Sequence, residues 1–254
     1  MAYLFNTPDD VRSMLEVIGA ESIDELFEQV PDHLQVDGLL DLPAGLSEPE
    51  LEVHLRELAA ANHGSSSRVC LMGGGVYDHF IPAAVDEVAS RGEFYTAYTP
   101  YQAEASQGSL QTFFEFQTLV CQLTGMDVSN ASLYEGGTAV SEAVFMAMRV
   151  TKRHNRVVVL GSLHPEFQQI LETYLGHLSC QLDVIATPDG AADVDIVADS
   201  LDEETACLVI QHPNVFGALE ELEPLCRAAH DVGALAVVSF DPLSLGLLKT
   251  PAAC

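Results

Sequence analysis

The chain reads as an α/β protein, a mainly parallel sheet with helices on both faces, preceded by a helical N-terminal arm. Three observations predict it. Past Arg68, short apolar runs without polar alternation take turns with amphipathic helical stretches, the pattern of parallel strands joined by crossover helices. Residues 1–64 instead carry helix start and stop signals. At 254 residues and 48% apolar, the chain is long and apolar enough to bury a sizeable core. The expected division is a helical arm over 1–64 and a partial large domain over 65–254.

In the arm, Thr7-Pro8 supplies an N-cap followed by proline at the first helical position. Val11, Met14, Leu15 and Ile18 recur at helical spacing, and Gly19 ends the run. Ser22 and Glu25 are spaced as a capping box before Leu26 and Phe27, with Pro31 closing a second helix. Ser47 and Glu50 repeat the box ahead of Leu51, Leu55 and Leu58. Val69-Cys70-Leu71-Met72 reads as a strand entering Gly73-Gly74-Gly75. Arg156-Val157-Val158-Val159-Leu160 reads as a strand covered on both faces. Phe167, Ile170, Leu171, Tyr174, Leu175 and Leu178 mark the helix after it. Two more strands follow at Leu182-Asp183-Val184-Ile185 and Cys207-Leu208-Val209-Ile210. A helix carrying Leu222, Leu225, Cys226 and Ala229 precedes a last strand from Ala234 to Phe240, which delivers Asp241-Pro242.

Charge narrows the partners. Thirty-eight acids against ten bases give a net charge of −28, which argues against nucleic acid and anionic membrane. The acids are spread along the chain, suiting a solvated surface in a salt-rich medium that screens them. No apolar run approaches the ~20 residues of a membrane span, and the first residues lack the basic start of a secretory signal. Six scattered cysteines without a CxxC pair read as reduced, mostly buried thiols, and no metal site is expected. The expected compartment is the cytoplasm.

Ligands of open α/β sheets bind at the carboxyl ends of the strands. Gly136-Gly137-Thr138 opens a helix whose free amides suit a phosphate, although plain turn chemistry explains the glycines equally. His164 either stacks on a planar cofactor or, with Pro165, starts a helix. Asn214 follows the Cys207–Ile210 strand. Asp241 either holds a ring nitrogen protonated or caps the next turn. In sequence, a glycine-rich helix start, then His, Asn and Asp is the skeleton of a pyridoxal-phosphate large domain of the aminotransferase (type I) kind. The lysine that such a cofactor needs is missing: Lys249 lies just past Asp241, Lys152 lies on the helix after Gly136, and neither stands where this fold places a Schiff-base lysine.

The block Phe94-Tyr95-Thr96-Ala97-Tyr98-Thr99-Pro100-Tyr101-Gln102-Ala103-Glu104-Ala105-Ser106-Gln107-Gly108 is more specific. With Leu110-Gln111, Phe116-Gln117-Thr118, Leu123-Thr124-Gly125 and Asn130-Ala131-Ser132-Leu133, it resembles the P-protein of the glycine cleavage system. The arm resembles that family too, through Met14-Leu15, Ile18-Gly19, Leu26-Phe27 and Val30-Pro31. Tyr134-Glu135-Gly136-Gly137-Thr138 resembles the first, alpha-type subunit of the two-subunit form, and the likeness suggests a C-terminally truncated chain.

The resemblance implies a glycine dehydrogenase (aminomethyl-transferring) that works as a heterotetramer. Glycine would lose its carboxylate as CO2, and its aminomethyl group would pass to the lipoyl arm of H-protein. Pyridoxal phosphate would sit on the partner, P-protein subunit 2. Tyr95, Tyr98 and Tyr101 would reach a shared site across the interface. Gly136, Gly137, Thr138, His164, Asn214 and Asp241 would be the positions where a catalytic half cradles the cofactor, or relics of duplication. Three rivals remain: a non-catalytic assembly subunit, a stand-alone pyridoxal-phosphate enzyme whose lysine lies beyond Cys254, and a fragment inactive alone because half a sheet would not fold stably.

Overall fold

The computed structural model describes residues 5–36, 38, 40–64, 68–71, 73–95 and 98–254. It divides into two units, Met1–Val69 and Cys70–Cys254. Met72, Thr96 and Ala97, placed above in a strand and in the tyrosine-rich block, lie outside the described residues.

The first unit is helical. Helix α1 spans Pro8–Ile18 and ends on Gly19 at φ 82°. Its capping box is complete: the Asp10 amide donates to Thr7 Oγ1 at 3.2 Å and the Thr7 amide donates to Asp10 Oδ2 at 2.8 Å. Helix α2 spans Glu48–Ala60, and at its start the Ser47 amide and hydroxyl both donate to the Glu50 carboxylate. The expected helix after Ser22 is shorter. Glu25 N does donate to Ser22 Oγ at 3.3 Å, but only a 3-10 turn forms over Asp24–Phe27, because few apolar residues separate it from Pro31.

In the second unit come α3 (Ala83–Ala89), α4 (Gly92–Tyr95) and α5 (Gln107–Thr124). None of the three was foreseen as a helix, and the longest, α5, has 18 residues. Nor is the expected strand at Val69–Leu71 present: these residues have no strand partner and are exposed.

The α/β class expected from the sequence is the one observed. Helix α6 (Gly136–Thr151) leads to β1 (Arg156–Leu160), α7 (Pro165–Leu175), β2 (Gln181–Ile185), α8 (Val194–Ser200), β3 (Thr205–Gln211), α9 (Leu222–Asp231) and β4 (Leu235–Ser239). All pairings are parallel, in the order β2-β1-β3-β4. Alternate residues face opposite sides. Val157, Val159, Cys207 and Val209 pack under Val140, Val144 and Ala147 of α6 and Leu171 and Leu175 of α7. Val158, Leu160, Leu208 and Ile210 pack on Val197 of α8 and Leu225, Cys226 and Ala229 of α9. That two-sided cover is why β1 and β3 read as unbroken apolar runs. Of the cysteines only Cys207 and Cys226 are buried, fewer than expected, while Cys70 is exposed.

Candidate functional site

With this strand order the chain reverses direction across the sheet between β1 and β3, so the crevice at their carboxyl ends is where an α/β sheet binds ligands. Here the crevice is laced shut. The His164 amide donates to Gln211 Oε1 at 2.8 Å, and the Val215 amide donates to the Ser162 carbonyl at 3.0 Å.

The glycine-rich start of α6 does open a helix, and its amides are already used. Glu135 is the N-cap. Its Oε2 accepts from the Gly137 amide at 2.6 Å and its Oε1 from the Thr138 amide at 2.5 Å. Thr138 Oγ1 donates to the Glu135 carbonyl at 3.1 Å. Thr138, through its side chain first and then its amide, and Gly137 through its amide, hold the Glu135 carboxyl below the usual carboxylate range. The glycines also answer to packing: a Cβ on Gly136 would stand 2.6 Å from Phe167 Cζ, and one on Gly137 would run into Ile170 Cδ1. Helix α7 rests directly on this turn.

His164 begins α7. Its Nδ1 accepts from the Glu166 amide at 3.2 Å and its Nε2 pairs with the Gly74 carbonyl at 3.0 Å, so Nε2 carries the proton. The ring centroid lies 4.9 Å from that of Phe167. A Cβ at Gly75, itself at φ 87°, would come within 2.9 Å of Nε2, so only glycine fits over the imidazole.

Asn214 and Glu220 are buried, 2% and 4% exposed. Asn214 Nδ2 donates to the Gly190 carbonyl and to Glu220 Oε1, both at 2.7 Å, while its Oδ1 accepts from the Phe216 and Ala218 amides. Ser162 Oγ donates to Glu220 Oε1 at 2.7 Å and the Ala192 amide to Glu220 Oε2 at 2.9 Å. Asp241 caps the 3-10 turn Pro242–Gly246, its Oδ1 accepting from the Leu243 amide at 2.9 Å. In the loop after β3, His212 Nδ1 is buried without a hydrogen-bond partner, and burial pushes the ring's pKa down.

The structure thus brings Gly136, Gly137 and His164 together around Phe167 and ties Asn214 to Gly190 in the loop after β2 and to Glu220. Sequence reasoning missed Glu135, Gln211, Ser162 and Glu220. Only Glu135 left a signal, an acid immediately before a helix start. Tyr95, Tyr98 and Tyr101 are exposed at 69%, 92% and 82%. Lys152 caps the far end of α6 at φ 60°, ~24 Å of helix from Gly136. Lys249 lies 3.3 Å from Glu223 on the surface. The residues at the cradle do not fit the phosphate of pyridoxal phosphate, because a carboxylate of the chain fills the place it would take.

A family model described as "Glycine cleavage system P-protein" matches residues 1–254. The chain belongs to the glycine cleavage system P-protein family. Among its relatives is a probable glycine dehydrogenase (decarboxylating) subunit 1 from Citrifermentans bemidjiense. It is 52% identical over 99% of this chain and 56% of its own length. The protein of the same name from Carboxydothermus hydrogenoformans is 45% identical over the same shares. The chain therefore spans about half the length of the curated relatives it matches. It is also similar to the crystal structure of a glycine decarboxylase (P-protein) of the glycine cleavage system in inhibitor-bound form. There the TM-score is 0.82 and the identity 42%, covering 100% of this chain and 56% of that one. A sphingosine-1-phosphate lyase of Burkholderia pseudomallei shares the fold alone, at TM-score 0.54 and 17% identity over 82% of this chain and 50% of its own.

Proposed function

We propose that this chain is subunit 1 of a two-subunit glycine dehydrogenase (aminomethyl-transferring) in the cytoplasm, and that it is the partner without the cofactor. The complex decarboxylates glycine, releases CO2 and passes the aminomethyl group to the lipoyl arm of H-protein. Pyridoxal phosphate belongs to subunit 2. The chain divides into an arm over 1–64 and a partial large domain over 65–254, and it shapes the active-site entrance and the docking surface for H-protein.

The observation that carries this reading is the placement of the two lysines. One closes the far end of α6 and the other, exposed, pairs with Glu223, which supports placing the amine that bonds the aldehyde on the partner. Further support comes from Tyr95, Tyr98 and Tyr101, large amphipathic rings left exposed, as interface residues are before a partner covers them.

The test is reconstitution of the complete chain with subunit 2. Lipoyl-H-protein-dependent release of CO2 from carboxyl-labelled glycine is measured with each subunit omitted in turn. Activity only with both supports the reading, whereas activity from this chain alone overturns it. Tyr95→Ala, Tyr98→Ala and Tyr101→Ala are each expected to lower activity or complex affinity at least ~10-fold, as truncating an interface hot spot does. Unchanged activity and assembly in all three removes the tyrosines from the shared site.

A further inference from the structure

We propose that Glu135 is an internal substitute for the cofactor's phosphate, and that this one side chain keeps phosphate monoesters off the cradle of this subunit. The proposal deepens the reading in which the cofactor sits on subunit 2 and rests on it for the identity of the excluded ligand.

A phosphate at a helix N-terminus is held by free amides, a neighbouring hydroxyl and the positive end of the helix dipole. In this chain each of those is engaged by the residue that starts the helix. The two carboxylate oxygens of Glu135 take the Gly137 and Thr138 amides, and its carbonyl takes the Thr138 hydroxyl. An arriving phosphate dianion would have to displace this carboxylate or settle against it, like charge on like charge. Phe167 and Ile170 pack on the side of Gly136 and Gly137 that faces α7, whereas Glu135 itself is exposed at the end of the helix. Thus the fold keeps the shape of a phosphate cradle while supplying the anion from its own chain.

The test uses the complete chain assembled with subunit 2, whose own site is first saturated with pyridoxal phosphate. Binding of labelled inorganic phosphate is then read by equilibrium dialysis. The wild type is expected to take up no equivalent at this chain. Glu135→Gln removes the charge, and Glu135→Ala removes charge and acceptor together; both are expected to gain one equivalent per chain, at least ~10-fold tighter than wild type, a change of 1.4 kcal/mol or more. Glu135→Asp keeps the charge and is expected to stay empty. Phosphate uptake by the wild type overturns the proposal, and so does its absence from both uncharged variants while they still assemble. Glycine decarboxylation in the same complexes reports on the functional reading separately, so failure of one is distinguishable from failure of the other.

Discussion

The N-terminal unit and the sheet region use the same local grammar and reach opposite degrees of cover. Both start helices with capped N-termini, at Thr7 and Ser47 in one and at Glu135, His164 and Asp193 in the other. In the sheet region the apolar faces of α6, α7 and α9 are buried against β1 and β3. Among the described residues up to Val69 none is buried, and Leu51, Leu55 and Leu58 of α2 remain about half exposed. Caps decide where a helix begins, whereas covering its apolar face supplies most of its stability. At 11 and 13 residues, α1 and α2 have lengths at which an isolated helix is marginal.

The contrast is broken most directly in the core. Leu208→Ala in β3, between two layers, is expected to cost about 3 kcal/mol. The matching Leu55→Ala in α2 should stay within about 0.5 kcal/mol. Urea unfolding followed by circular dichroism checks both, since the chain has no tryptophan to report. Equal losses would mean that the two regions are covered alike.

Next in size is Glu220→Ala, which leaves Ser162, Asn214 and the Ala192 amide without their acceptor. The expected cost is about 2 kcal/mol in the same assay, and a neutral result would mean that water replaces the carboxylate.

Acid sharpens the comparison from the other side. The Ser47 hydroxyl first, then the Ser47 amide, holds the Glu50 carboxyl below its ordinary value. A carboxylate whose folded pKa is lowered contributes stability that is fully present above its unfolded value, near ~4. That contribution is lost as pH falls through the lower folded value. Helical signal should therefore drop on acidification below pH ~4, and Ser47→Ala should move the midpoint upward. A helix that strengthens in acid would contradict the cap.

The smallest effect is chemical. Burial pushes the Cys207 thiol up to about 12 and the Cys226 thiol up to about 11, whereas Cys70 is exposed. Iodoacetamide at pH ~8 should label Cys70 and spare the other two, because the thiolate is the nucleophile. Labelling of Cys207 at the rate of Cys70 would contradict its place between the layers.

Much of this fold was legible because its signals are local. Four strands were found from runs such as Val157–Leu160, whose lack of alternation is a direct result of two-sided burial. Gly19 and the Thr7-Pro8 start placed α1 to the residue. Legibility failed where tertiary cover decides. Helix α5 carries Phe113, Phe114 and Phe116 around its circumference, so no single apolar stripe announced it. The run at Val69–Leu71 is apolar enough for a strand but has no neighbour to pair with.

The candidate site was legible in its order and not in its state. Gly136, His164, Asn214 and Asp241 stand where the pattern placed them. What each does depends on partners distant in sequence, such as Gly74 for His164 and Gly190 for Asn214. Glutamate is also outside the favoured N-cap residues, so the residue filling the helix start did not stand out.

Glu220 has a mechanical consequence. Its carboxyl group binds Ser162 after β1, Ala192 ahead of α8 and Asn214 after β3, so three crossover segments hang from one buried side chain. A rim fastened in that way opens as a unit or stays shut. The amides of Ala192, Val215 and Ala218 should therefore exchange with solvent together, at a common rate set by a single cooperative opening.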